Sequence, residues 1–341
     1  MSSLPYLHFT ETVNRIGELF TFVINSFLIW ITVFHIKNIK GGYRILVLAL
    51  ANLEILFAFL EFLIHPFVHS YSSSYTFFTI APVHGASKSF KTWALCLYSG
   101  IYCLLISLIA TQFFYRYCLL QESKAKLTRW IDRGCWAYCS FWSSVFMYAY
   151  YQCVPDKDSL DYLREAMWKE YRSDVEEVAG FFILVYNLKT GHLRSQTMLA
   201  IFLFVTSLAF QYSVIILCSY KIQRNINRTC AGMSSKTRKI QRQLFKTLVF
   251  QILNPFIFHH IPAFLILVMP FLDLRFSIPS GLIFCFYSTF PPIDSLLMMY
   301  LVTEYRVVMR KCLEAFLENL LDWLKRLGHR EEVTATTSAG H

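Results

Sequence analysis

The chain has 341 residues, 55% of them hydrophobic and 16% charged, a balance that excludes an ordinary soluble domain. The formal net charge of +10 would suit a nucleic-acid binder. Its distribution excludes that reading, because the basic residues gather in segments between long apolar stretches, where they set membrane orientation and attract anionic lipid.

In chain order the apolar stretches are residues 19–36, 45–65, 93–114, 135–154, 198–218, 247–269 and 278–302. Each supplies about the ~20 residues, at ~1.5 Å rise per residue, that a bilayer core requires. With the amino terminus placed outside, the cytoplasmic connections hold 22 of the 32 Lys and Arg and 8 acids, whereas the outer connections hold 10 basic and 11 acidic residues. The positive-inside rule therefore predicts an outer amino terminus and an inner carboxyl terminus. The expected fold is all-α, a seven-transmembrane helix bundle. Residues 1–18 form an outer amino terminus, 19–302 the membrane domain, and 303–341 a cytoplasmic amphipathic helix and tail. The first stretch is expected to serve as an uncleaved anchor.

Polar groups inside the spans carry the most information, since a carboxylate in hydrocarbon is costly without a partner or a task. The first span holds Asn25, the second Glu54 and Glu61, and the seventh Asp294. Counted from the inner helix ends, Asn25, Glu54 and Asp294 lie roughly 16, 14 and 12 Å deep, close to one level. One hydrogen-bonded cluster that biases a conformational switch is the expected arrangement; separate local bonding is the alternative. Desolvation favours the neutral acid, so Glu54 either carries a proton or holds a sodium ion.

Arg116 closes the third helix just past its apolar stretch, preceded by Tyr115. On its own, an arginine there is an interfacial anchor. Cys96 and Cys153 lie toward the outer ends of spans three and four, where they either pair or remain buried thiols. The ten cysteines contain no CxxC spacing, so neither a metal nor a cofactor is expected. The long outer connection 155–196 offers a helix over 160–171 and a strand or plug over 181–186. In the sixth span Pro255 and Pro262 each remove a backbone donor, predicting kinks and a hinge. The outer halves of spans three, six and seven present Tyr98, Tyr102, His260, Phe264, Phe284 and Tyr287, a surface suited to a small, mostly apolar ligand. Beyond the seventh span, apolar residues spaced three and four apart over 303–327 predict a helix lying in the inner interface. There is no HExxH, phosphate-binding glycine loop or GxSxG elbow, so no enzyme is expected.

Several segments together resemble the nematode Str-type serpentine chemoreceptors, the group that includes the worm diacetyl receptor. They are His65-Pro66-Phe67-Val68-His69-Ser70; Phe113-Phe114-Tyr115-Arg116-Tyr117; the run from Arg242 through Gln251 with Pro255 and Pro262 after it; and Pro292-Ile293-Asp294 with Tyr305-Arg306 beyond. The resemblance implies a G-protein-coupled receptor of olfactory type in the plasma membrane of a sensory neuron, on its cilium. It would bind a small odorant-like molecule and activate a heterotrimeric G protein, with Tyr115 and Arg116 at the coupling face. Leu50-Ala51-Asn52-Leu53-Glu54 is similar, more distantly, to the LAxxD motif of rhodopsin-type receptors, which gives Glu54 their acidic sodium-site role. Tyr115 replaces the acid those receptors place before the arginine, and Asp294-Ser295 replaces their Asn-Pro. Their helix-three cysteine would fall near Lys91, so their outer disulfide is not supported. The rival reading is a seven-helix ligand-gated channel or transporter. A transporter should show internal repeats, of which the sequence has none, and insect-type channels place the amino terminus inside.

Overall fold

The computed structural model describes residues 4–36, 42–80, 85–120, 126–229, 235–272, 277–278 and 281–338. The membrane helices are α1 (Leu4–Phe34), α2 (Gly42–Ile64), α3 (Lys88–Leu120), α4 (Lys126–Tyr151), α6 (Ser195–Thr229), the composite α7 (Ser235–Pro255) and α8 (Ile261–Val268), and α9 (Gly281–Leu301). Among the described residues, five helical segments are long and apolar enough to span by length and composition alone. Helix α4, rich in Tyr, Ser and Trp, and helix α9 pack into the same bundle. Most helices overshoot the apolar stretches read from the sequence. Helix α1 begins at Leu4 within the expected outer segment, and α3 continues four residues past Arg116. Hydropathy marks only the portion in hydrocarbon, whereas the backbone stays helical into the polar interface.

Helix α3 is the central post, buried against α2, α4 and α6, while α1 lies against α2 and α9. Its close approach to α4 depends on Gly100: a Cβ there would stand 2.6 Å from the Met147 side chain. Ser143 of α4 donates to the Gly100 carbonyl at 2.8 Å across this contact. Between α7 and α8, residues Phe256–His260 form a π-helical turn, in which the Ile261 amide bonds to the Phe256 carbonyl. Pro255 and Pro262 bracket this turn, and the wider winding accommodates rings that an α-helix would exclude. The expected kinks are therefore a short π insertion. A 3₁₀ turn, Met269–Leu272, finishes the helix.

The outer end carries a four-stranded sheet of order β3-β2-β1-β4, which the sequence pattern foreshadowed only in part. Strands β1 (Pro66–Tyr71) and β2 (Ser74–Thr79) form a hairpin; β3 (Ala179–Leu184) joins β2 and β4 (Ser277–Ile278) joins β1. Helix α2 ends because His65 takes a left-handed φ of 41° immediately before Pro66. Period-two alternation then gives the sheet two faces. Val68, Tyr75, Phe77, Phe181 and Ile183 face the bundle. Phe67, Phe78 and Phe182 face α5 (Lys157–Tyr171), packing with Leu163, Met167 and Val175 in a second small core. Gly180 is required where β3 crosses β2, since a Cβ would meet the Phe77 carbonyl at 2.5 Å.

Asp156 caps α5 through a reciprocal pair of bonds with Ser159 and also pairs with Arg194 at the start of α6. Burial pushes the Asp156 carboxyl up, but the bonds from Arg194 and Ser159 outweigh it and hold the group below its ordinary value. The expected helix over 160–171 and strand over 181–186 are thus parts of one lid. Cys96 and Cys153 are unpaired thiols, donating to the carbonyls of Met147 and Ala149.

Helix α10 (Thr303–Ser338) follows the bundle and runs beyond the expected end of the helix at residue 327. Leu313, Phe316, Leu317 and Trp323 on it are exposed, as an apolar stripe meeting the inner membrane interface would be. The assigned orientation predicts that an epitope tag ahead of Pro5 stains on intact cells. A tag after Gly340 should stain only once cells are permeabilised, and the reverse pattern would overturn the orientation.

The lid contains a buried histidine. His69 in β1 is enclosed, its Nδ1 lies 3.1 Å from the Tyr171 hydroxyl, and its pKa is pushed down by burial to about 4. Because the folded value lies below the ordinary one near 6.5, the opened lid binds the proton more readily than the closed lid. The His69 contribution is therefore complete above about 6.5 and is lost as pH falls towards 4. Amide exchange in β1 and β2, corrected for intrinsic rates, should accelerate across that window, and His69→Gln should flatten the response.

Candidate functional site

Beneath the sheet lies a cavity of about 470 Å³, within the size range of small-molecule sites. Its walls come from α3, α4, α6, the π turn with α8, and α9, and Val68, Tyr75 and Phe77 of the sheet form its roof. All six residues singled out from the sequence, Tyr98, Tyr102, His260, Phe264, Phe284 and Tyr287, line this one space. Phe264 is the outlier among them: it is 63% exposed and stands at the lipid-facing margin.

The polar groups converge on the π turn. His260 Nδ1 lies 2.9 Å from the Pro255 carbonyl, which can only accept, so Nδ1 carries a proton. At the other side of the ring, Nε2 lies 2.7 Å from the Tyr102 hydroxyl, and the Tyr212 hydroxyl stands 3.3 Å from Nδ1. Helices α3, α6 and the sixth span thereby meet at one histidine. His259 beside it is stacked between Tyr102 and Tyr287, with ring centroids 3.8 and 3.7 Å away. A ligand contacting this floor would touch the point where the sixth span changes its winding.

Tyr75, Phe77, Tyr150, Phe204, Tyr212 and His259 line the cavity without having been singled out from the sequence. Tyr212 follows Phe204 and Leu208 at helical spacing in the fifth span, a signal that could have found it. The roof residues were hidden because the hairpin itself was not anticipated.

Below the cavity, Asn25, Glu54 and Asp294 are all buried and fall in one polar group. Its hub is Ser295, whose Oγ donates to Asn25 Oδ1 at 2.5 Å and stands 3.3 Å from Glu54 Oε2. Gln251 of α7 adds the sixth span, donating from Nε2 to Asp294 Oδ2 at 3.0 Å. Asn254 donates to the Phe290 carbonyl at 2.7 Å, a second tie between α7 and α9. Four helices are thus joined at mid-depth, where each interhelical hydrogen bond is worth about 0.6 kcal/mol on average.

At the inner end Arg116 does not snorkel to the interface. It is 4% exposed and turned toward α7, donating to Gln241 Oε1 at 2.7 Å and to the Gln241 carbonyl at 3.1 Å. The Tyr43 ring lies 5.8 Å from its guanidinium carbon. Tyr115 is buried as well, its hydroxyl accepting from the Gly42 amide at 3.1 Å. Tyr115 thus bonds to the loop end of α2, and the partner that holds Arg116 is the uncharged Gln241. Thr303, where α9 gives way to α10, donates to Gln243 at 2.9 Å, closing the inner face on its other side.

Three comparisons bear on this arrangement. The model of the family described as serpentine type 7TM GPCR chemoreceptor Str matches residues 10–310. Among curated relatives, the G-protein coupled receptor str-33 of Caenorhabditis elegans is 33% identical over 309 residues, covering 88% of this chain and 89% of its own. The serpentine receptor class r-10 of the same organism is 24% identical, covering 90% and 91%. Among solved structures, squid rhodopsin superposes with a TM-score of 0.61 at 12% identity, over 92% of this chain and 87% of that one, a likeness that speaks to the fold alone.

Proposed function

Since the chain belongs to the Str family of serpentine seven-transmembrane G-protein-coupled chemoreceptors, we propose that it detects a small, mostly apolar chemical in the cavity beneath the lid and passes the event to a heterotrimeric G protein. The observation that carries this reading is the joint position of His260: it bonds across the cavity floor to Tyr102 and lies within the π turn of the helix that holds Arg116 shut. A ligand that favours a different winding there shifts the inner half of that helix. It does so only to the extent that it binds the two arrangements with different affinity. Pro255 and Pro262 are the hinge, Asn25, Glu54 and Asp294 the switch below it, and the face around Tyr115 and Arg116 the docking site for Gα. The plasma membrane of a sensory neuron, on its cilium, is the proposed location. Family membership favours this receptor reading over the channel or transporter.

The test is a ligand screen in cells expressing the receptor with a promiscuous Gα and a calcium readout. His260→Phe keeps the ring but removes both hydrogen-bonding nitrogens, so about 1–3 kcal/mol of interaction is at stake. The potency of an active compound should fall by about 5–150-fold in that variant. Unchanged potency would place the ligand elsewhere.

A further inference from the structure

Among the described residues, the sheet covers the cavity toward the outer solution, while its wall toward the bilayer contains exposed side chains. Its roof is the bundle-facing side of the sheet, where Val68, Tyr75 and Phe77 meet it, and Val68 and Phe77 are buried. Thr79 at the end of β2 donates to the last carbonyl of α2, and the Phe182 amide bonds to the Cys153 carbonyl at the end of α4. The roof is therefore fastened at two corners of the bundle. The wall between α6 and the sixth span is different. Val205, Ile261, Phe264 and Leu265 all line the cavity and are 52%, 44%, 63% and 53% exposed. A side chain that both faces the cavity and lies open on the lipid side marks a gap in that wall.

The gap has defined ends. Toward the membrane centre, Tyr212 closes it by an edge contact with Phe256 at 5.8 Å between centroids and by its approach to His260. Toward the outer face, Tyr186 donates to the Phe271 carbonyl at 3.2 Å, tying the second outer loop to the end of the sixth span. Between these ties the cavity-lining residues of the two helices, Val205, Leu208, Ile261, Phe264 and Leu265, are all apolar. Its inner end reaches the hydroxyl of Tyr212 and the ring of His260.

We infer that the ligand enters sideways from the bilayer through the slot between α6 and α8, and is therefore a neutral, lipid-partitioning molecule with one hydrogen-bonding group. The inference rests on the reading of this cavity as the ligand site. A charged ligand would have to cross hydrocarbon, which is costly. An apolar molecule concentrates in the membrane and meets a matching apolar wall, and its single polar group finds a partner at His260 or Tyr212 after entry.

The full-length receptor in phosphatidylcholine nanodiscs allows a direct test with a neutral trifluoromethyl-phenyl-diazirine, which partitions into lipid, and its sulfonated analogue, which does not. On illumination the neutral probe should label Tyr102 and Phe284, which are buried from lipid, as well as the lipid-facing Ile216 and Leu217 of α6. Val205→Trp and Leu265→Trp should each reduce labelling of Tyr102 and Phe284 to the level given by the sulfonated probe, leaving Ile216 and Leu217 unchanged. Val205→Ala widens the slot and should raise labelling of the cavity. Cavity labelling that is absent in the wild type, persists in both Trp variants, falls in Val205→Ala, or is equally strong with the sulfonated probe would overturn the route. Labelling needs no G protein, so failure here leaves the receptor reading standing, and a silent signalling assay leaves the route standing.

Discussion

Glu54→Leu is expected to suppress ligand-stimulated signalling at matched surface expression. The carboxyl is buried beside Ser295 and within electrostatic reach of Asp294, at a depth where bulk water does not replace a lost partner. Leaving buried polar atoms unsatisfied costs about 1–3 kcal/mol, enough to move a two-state equilibrium by about 5–150-fold. Glu54→Gln separates two versions of the cluster. If the wild-type carboxyl carries a proton, Gln keeps a donor and an acceptor and signalling changes little. If it holds a sodium ion, Gln abolishes any sodium dependence of ligand affinity. Wild-type signalling from Glu54→Leu would mean that the cluster does not control the switch.

The second large effect is expected at the inner face. Arg116→Ala should reach the surface and bind ligand, yet fail to promote nucleotide exchange on Gα. Gln241→Ala should act in the opposite sense. Removing the side-chain acceptor leaves Arg116 only the Gln241 carbonyl and loosens α7 against α3, so basal exchange should rise. A charge-assisted hydrogen bond of this kind contributes about 1.5–3 kcal/mol. That loss would raise the fraction of open receptor several-fold or more. If both variants exchange nucleotide like the wild type, Arg116 is only a structural anchor.

Much of this was legible because the bilayer imposes simple rules. Seven apolar stretches and a one-sided charge distribution give the layout without any knowledge of contacts, since length and charge are what the membrane reads. Depth arithmetic also brought Asn25, Glu54 and Asp294 to one level, because helical rise converts residue number into height. Rotation about the helix axis is harder to infer. Ser295 and Gln251 complete the cluster, yet a serine or glutamine in a span has no distinctive signature. Gln241 lay unnoticed within a basic run, where its neighbours read as interfacial charge. The prolines signalled distortion in the sixth span but not its form, which depends on how the surrounding helices accept a wider turn. The lid was obscured for another reason. Its hairpin turns at Ser72 and Ser73 without the Asn-Gly or Asp-Gly pair that marks most tight hairpins, and its strands find partners far away in the chain.

In the proposed mechanism, events at the cavity floor govern the closure of α7 against α3. Spin labels at Leu119, near the inner end of α3, and Lys239, near the inner end of α7, are both on exposed positions and report that closure as a distance. Reconstituted receptor should show one dominant short distance, a longer population in Gln241→Ala, and the same longer population in the wild type with an active compound from the screen. That compound should lose its effect on the distance in His260→Phe. A single distance unchanged by the compound and by Gln241→Ala would mean that the cavity floor and the inner face are not coupled.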